Sequence, residues 1–350
     1  TSFPPPRSPR GDGKIRMIRK KIMQQNKKEI TAEKRKQGLR QYGLAMVFVL
    51  PFVIFFVLFT LVPLLMGVVL SFFDYNPNSP EQMQFVGFLN YADIFGTDNE
   101  SIAITFVKPF WSSLLKTLLF CLIAVPLLIV VPLLLAYLIN FRPPGYKIFR
   151  AIIFLPSIVS ITVAGMMFTA IFGESNTGLV NNLFGSSIPF LTETKWRWTI
   201  MLILSVWWQS GTNFVIFAAG LREVPKSLYE ACEVDGGGKW KKFFAVTLPN
   251  IKGQINLCLF STLINYLNLY GQAAVIRSSL IYDTDYDSPM MLIQNTLKTL
   301  PNWTGFICAI AVVFGLIVLA ISMTERYLMS MEKGGHYYEK RYASFANLKK

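Results

Sequence analysis

The chain has 350 residues, of which 53% are hydrophobic and 15% charged, with a formal net charge of +14. A charged fraction this far below the usual quarter excludes an ordinary soluble globular protein and points to lipid as the surrounding solvent. The excess Lys and Arg lie in tails and in loops between apolar runs, not interleaved with aromatic residues on a soluble face, so nucleic acid is excluded as a partner.

Residues 1–43 come first. Up to Gly13 they are rich in Pro, Arg and Ser and lack the apolar content to build a core. From Lys14 to Arg40 they are charged and helix-prone, suited to lie against anionic headgroups as a topology anchor. Six apolar segments follow, each long enough to cross a bilayer as a helix: Leu44 to Phe72, Phe110 to Ile139, Phe149 to Phe172, Thr199 to Leu221, Ile255 to Ile276 and Trp303 to Leu328. Peptide groups in hydrocarbon must bond within their own segment, so these runs read as helices. The expected fold class is all-α, a polytopic membrane protein of six transmembrane helices. Pro51, Pro63, Pro126, Pro132 and Pro156 are expected to kink the spans they occupy. The first run is too long for a secretion signal and has no small-residue cleavage pattern after it.

Orientation follows from the loops, because basic segments stay in the cytoplasm. The amino-terminal cluster is basic; the next loop, with Asp74, Glu81, Asp93, Asp98 and Glu100, is acidic; Arg142, Lys147 and Arg150 return the chain inside. Glu174 and Glu193, against Lys195 and Arg197, suit an outer loop. Arg222, Lys226, Lys239, Lys241, Lys242 and Lys252 suit an inner one. Asp283, Asp285 and Asp287 then read as external, and Arg326, Lys333, Lys340 and Arg341 as internal. Both termini are therefore expected in the cytoplasm, with a membrane domain at 44–328 and a tail at 329–350.

The chain shows no catalytic constellation. Cys121, Cys232, Cys258 and Cys308 are scattered without metal-ligand spacing and read as packing residues. His336 stands alone in the tail. Gly236-Gly237-Gly238-Lys239 lacks the earlier glycine of a phosphate-binding loop and is followed by Trp240. No carboxylate pair of the kind a proton-coupled carrier uses lies in mid-span. The expectation is of no metal and no cofactor in this chain.

The most informative stretch is the loop at 222–250. Pro225 suits the first turn of a short helix through Leu228, Tyr229 and Cys232, which would share one flank. Asp235 and Gly236 end it, glycine supplying a left-handed backbone. A second short helix, Lys239 to Val246, is expected to stop at Leu248-Pro249. At Glu230, Ala231, Cys232, Gly236, Val246, Leu248 and Pro249 the chain resembles the inner-membrane permeases of binding-protein-dependent ABC importers, whose signature runs Glu-Ala-Ala, three residues, Gly, nine residues, Ile-x-Leu-Pro. Cys232 and Val246 depart from it but keep small or apolar character. Tyr229-Glu230-Ala231 with Asp235-Gly236 is similar to the carbohydrate-uptake branch, the maltose-type and multiple-sugar permeases. Further matches are Val86 to Tyr91, Phe149-Arg150 with Leu155-Pro156, and Gly178 with Asn181. Where many such permeases carry Gly-Gly-Pro after the fifth span, this chain has Asp285-Tyr286-Asp287-Ser288-Pro289.

The resemblance implies a type I ABC importer permease fold in the bacterial inner membrane. It places Tyr229, Glu230, Ala231, Cys232, Asp235 and Gly236 on a coupling helix seated in a cleft of a separate ATP-binding subunit. It further implies two copies of that subunit, holding the ATP and Mg, a second homologous permease, and an external solute-binding lipoprotein or periplasmic protein. A sugar offers apolar ring faces edged by hydroxyls, so aromatic platforms and amides at membrane depth suit it. Counting from the loop, the expected substrate path is Trp208, Gln209 and Thr212 on the fourth span and Thr262, Asn265 and Tyr266 on the fifth. The alternatives are an ABC importer for another solute and an ATP-independent carrier.

Overall fold

In a chain this apolar the backbone has few options, and its prolines decide how each helix continues. The computed structural model describes residues 46–174, 178–277 and 287–347, with side chains as far as Met329. The basic segment 1–43, Asp283, Asp285, Tyr286, and the side chains of His336 and the basic tail residues lie outside the described residues. Contacts divide the chain into two units at Gly67, so the first helix, α1 (Met46–Leu70), is described by itself. It is apolar throughout and nearly all of its side chains are exposed.

From Val68 onward the order is as follows. A two-residue hairpin pairs Phe73 with Phe85 and Asp74 with Gln84. The helices are α2 (Leu89–Phe95), α3 (Glu100–Asn140), α4 (Tyr146–Ile158), α5 (Ile161–Ile171), α6 (Leu179–Phe184) and α7 (Thr194–Glu223). Then come α8 (Lys226–Val234), α9 (239–250), α10 (Lys252–Leu267), α11 (Gly271–Arg277), α12 (Pro289–Thr299) and α13 (Thr304–Asn347). The two long helices α3 and α7 make the most extensive pairing, and α10 packs on both. One apolar core lies among them, from Phe120 and Leu128 to Leu204, Phe217 and Cys258. A second joins α2 and the start of α3 to α12 and α13 through Ile94, Phe110, Leu292 and Phe306. The cysteines are free; Cys121, Cys232 and Cys258 are buried, which agrees with a packing role.

Among the described residues only four continuous helices are long and apolar enough to span a membrane: α1, α3, α7 and residues Pro301–Met329. The other two expected spans are broken. The third, Phe149 to Phe172, bends by 99° between α4 and α5 and would count as a fifth span only as a bent pair. The fifth, Ile255 to Ile276, stops at Leu267 and restarts at Gly271. Pro156 explains the first break, since it sits in a 3-10 turn (Leu155–Ile158) after which Val159 is extended and Ser160 caps α5. The two restarted halves pack together, and glycine makes this possible: a Cβ on Gly165 or on Gly271 would lie under 3.0 Å from Val275 or Ile161 of the facing helix.

Three other prolines are absorbed by local widening of the helix. The stretches Val57–Leu61, Ala103–Val107 and Lys242–Thr247 are π-helical, and Pro63, Pro109 and Pro249 each stand two residues beyond one of them. Returning from i+5 to i+4 bonding skips one carbonyl, so the ladder there needs one donor fewer, and proline, which has no N–H, fits that place. For this reason α9 does not stop at Leu248-Pro249 as expected but runs to Asn250. Pro126 and Pro132 lie inside the unbroken α3.

Candidate coupling surface and translocation path

The loop after α7 folds as two short helices at a defined angle, because each end has its own stop. Val224 and Pro225 are extended, Pro225 standing just before the first helical residue of α8. At the other end Gly236 takes φ +72°, its N–H bonding the Glu233 carbonyl at 2.9 Å, and the Gly237 N–H bonds the Cys232 carbonyl at 2.7 Å. This pair of reversed bonds is a Schellman stop, and it turns the chain sharply into α9.

Packing then decides which face of α8 is free. Tyr229 and Cys232, three apart, turn inward: the Tyr229 hydroxyl pairs with Thr247 Oγ1 at 3.1 Å, and Cys232 joins Phe243 and Val246 in the core. Glu230, Ala231, Val234 and Asp235 are exposed, and Val234 keeps 87% of its surface. An ion pair between Lys242 and Glu233 braces the two helices from the side. One expectation is corrected: Leu228 is exposed and does not share the inward flank. Cys232 is buried where Gly237 crosses it. The free face is Glu230 with Val234, one helical turn apart, beside Ala231 and Asp235.

The expected path residues divide in two. Trp208 donates from Nε1 to the Val159 carbonyl at 2.7 Å, the group left unpaired by the break between α4 and α5. Thr262 is fully buried, accepting from Asn213 Nδ2 at 3.2 Å, and the same amide bonds the Leu128 carbonyl at 2.8 Å. Tyr266 is buried, with its hydroxyl directed at the Ser205 carbonyl at 3.4 Å. These three bond helix to helix, which in a membrane satisfies polar groups that lipid cannot. Thr212 and Asn265 are exposed and Gln209 is half-buried. Leu257, Ser261 and Asn265 of α10, with Asn268 just past its end, follow one stripe left uncovered or half-covered by this chain.

A site missed from sequence lies at the far end of α7. Arg197 and Asp287, expected in outer loops, are both buried, at 1% and 0% exposure, and face each other through Nη2–Oδ1 and Nε–Oδ2 at 3.2 Å. Arg197 Nη1 also donates to the Thr192 carbonyl at 3.3 Å. Asp287 immediately precedes Ser288, whose hydroxyl caps α12 by accepting from the Met291 N–H. Ninety residues of chain separate the two partners, so no local pattern announces the pair.

Two connecting segments are held by asparagines that the sequence placed in family-like motifs. Asn90 donates to the Ser71 and Phe73 carbonyls. Asn181 donates to the Gly173 and Ile188 carbonyls and accepts from Ser186 and the Ile188 N–H.

Comparison with known proteins gives these features a context. The family model described as "Binding-protein-dependent transport system inner membrane component" matches residues 129–326. The arabinooligosaccharides transport system permease protein AraP of Halalkalibacterium halodurans is 31% identical over 304 residues, covering 83% of this chain and 88% of the relative. The lactose transport system permease protein LacF of Rhizobium radiobacter is 29% identical over 232 residues, covering 64% and 73%. Among solved structures, a chain of a bacterial alginate ABC transporter, in complex with alginate pentasaccharide-bound periplasmic protein, superposes with a TM-score of 0.68 at 22% identity, covering 83% of this chain and 96% of that one.

Proposed function

The chain belongs to the family of binding-protein-dependent transport system inner membrane components, and from that membership we propose that it is the sugar- or oligosaccharide-importing permease of an ATP-driven transporter. It is a transport subunit, not an enzyme, and it has the type I importer permease fold. In this reading six passes cross the bacterial inner membrane, the third and fifth as broken helices, with both termini in the cytoplasm. The chain forms half of the path beside a second, homologous permease. ATP and Mg are held by two copies of an ATP-binding subunit, and an external solute-binding protein delivers the sugar.

The observation that carries this reading is the free face of α8. A stiff helix of 30 residues, α7, runs straight into a loop whose free face offers the Glu230 carboxylate and the bare apolar side chain of Val234 to something outside the chain. At about 1.5 Å per residue α7 is about 45 Å long, enough to carry a push from one side of a bilayer to the other. Closing of the ATP-binding subunits would move the coupling helices and rock the two bundles between inward-open and outward-open states.

The test is uptake into vesicles holding the purified complex. Arabinose- or galactose-containing oligosaccharides should accumulate only with internal ATP and with the loaded external receptor, and accumulation without an ATP-binding subunit would refute the assignment. Two kinds of path variant should then separate. Thr212→Val and Asn265→Leu remove exposed polar groups and should slow uptake by about fivefold, each losing a hydrogen bond of about 1 kcal/mol to substrate, while receptor-stimulated ATP hydrolysis persists. Trp208→Phe removes the cap on Val159 and should instead lower thermal stability with no change in preference among sugars.

A further inference from the structure

Beside the coupling loop lies a cleft of about 510 Å³ between the last two turns of α3 and the start of α9. Leu134, Leu138 and Phe141 form one wall, Trp240 and Phe243 the other, and Lys239 is the only charged residue lining it. Its floor is aromatic: Tyr137 meets Phe243 edge-on at 4.8 Å and Phe141 at 5.0 Å. Trp240 is 76% exposed and stacks loosely on Phe244, itself exposed, at 6.1 Å between ring centres. The function proposed above leaves all of these residues unused.

We propose that this cleft is a binding site for an anionic phospholipid, with one acyl chain between Leu138 and Trp240 and the phosphate beside Lys239. Two observations select this occupant. First, the wall built from α3 is the exposed flank of a membrane-spanning helix, Leu138 keeping 60% of its surface, so the cleft is continuous with the hydrocarbon. Second, the opposite end carries positive charge: Lys239 lines it and Arg142 follows Phe141 directly, and both are exposed. No acidic residue lines the cleft, and Glu233 of the same loop is paired with Lys242. Apolar at one end and cationic at the other is the pattern of a headgroup with its tail, and tryptophan with lysine is the side-chain pair that settles at that depth. A similar cleft of about 480 Å³ between α3, α4 and α7 is lined by no charged residue and makes no such selection. A lipid held here would brace α9, which is joined to α8 through Tyr229 and Thr247, and so would bear on the coupling helix from the membrane side.

The proposal rests on the loop lying at the membrane surface in the assembled transporter, and its test separates it from the coupling role. The complete complex is placed in phosphatidylcholine vesicles with a minor share of phosphatidylglycerol, bromine being carried on the chains of one lipid or the other. The emission lost in Trp240→Phe identifies the signal from Trp240. Brominated phosphatidylglycerol should quench that signal about fivefold more effectively than brominated phosphatidylcholine at equal bromine, and Lys239→Gln should bring the ratio near one. Phe141→Trp in the Trp240→Phe background moves the reporter to the facing wall and should regain the preference. Equal quenching by both lipids, a Trp240 signal that neither quenches, or a ratio untouched by Lys239→Gln would each overturn the site. Glu230→Lys should leave the ratio as it is, so a failure of coupling and a failure of lipid binding read out separately.

Discussion

Replacing Glu230 with lysine should reduce ATP-dependent uptake by at least about a hundredfold while leaving the chain folded and the external receptor's affinity for sugar unchanged. The fold survives because everything that shapes α8 lies elsewhere: Tyr229 on Thr247, Cys232 in the core, and the reversed bonds at Gly236 and Gly237. Glu230 is exposed and takes no part in them. Its carboxylate is available for a charge-assisted hydrogen bond, worth about 1.5–3 kcal/mol, across the contact with an ATP-binding subunit. Lysine removes that bond and sets a cation against a surface built to meet an anion, which costs several kcal/mol more. Glu230→Gln keeps the shape and one acceptor and should lose only about tenfold. Val234→Ala, which trims the other half of the free face, should fall between wild type and Glu230→Lys. Uptake and receptor-stimulated ATP hydrolysis measured on the same vesicles decide the matter: if both survive Glu230→Lys, this face does not meet the motor.

The shape of the loop at 222–250 was legible because its information is local. A proline and a glycine within a dozen positions specify where α8 starts and how it stops, and the structure adds that Tyr229 and Cys232 turn inward while Leu228 stays exposed. Apolar runs gave the long helices for the same reason, since lipid leaves a backbone no other partner than itself. What could not be read is what depends on distant chain. Proline alone does not say whether a helix kinks, widens or breaks: Pro126 and Pro132 sit within the continuous α3, Pro249 follows a widened turn, and Pro156 precedes a 99° bend. The difference lies in what receives the freed backbone groups, and at Val159 that is Trp208, 49 residues later. This is also why Trp208 resembled a sugar platform in the sequence: an aromatic residue with a donor, at membrane depth, serves a carbonyl as well as it would a hydroxyl. Thr262 and Tyr266 likewise bond to neighbouring helices, whereas Thr212 and Asn265 lie on the exposed surface.

Loss of the carboxylate at Asp287 should be the most destabilising single change in the described part of the chain. Arg197 would then keep its charge at 1% exposure with, among the described residues, only the Thr192 carbonyl to accept from it, and an uncompensated buried charge of this kind costs about 3–5 kcal/mol. For a chain of this size the thermal midpoint of the detergent-purified complex should fall by about 10 °C in Asp287→Ala. The reciprocal Arg197→Met should also destabilise, because the fully buried Asp287 loses both of its contacts with the guanidinium. The double variant Arg197→Met with Asp287→Leu should recover most of the loss, since a buried pair replaced by packed apolar groups is close to neutral; a double variant as unstable as either single one would show that the pair itself is not what those residues supply. The pair also has a mechanical consequence. It ties the start of α7 to the start of α12, at the opposite end of α7 from Glu230, so a push delivered at the coupling loop acts on a rod whose far end is anchored. Without that anchor the rod can slide instead of tilting. At a temperature where the double variant is fully folded, its receptor-stimulated ATP hydrolysis should therefore persist while sugar moved per ATP declines, a split that a purely stabilising role for Arg197 and Asp287 does not produce.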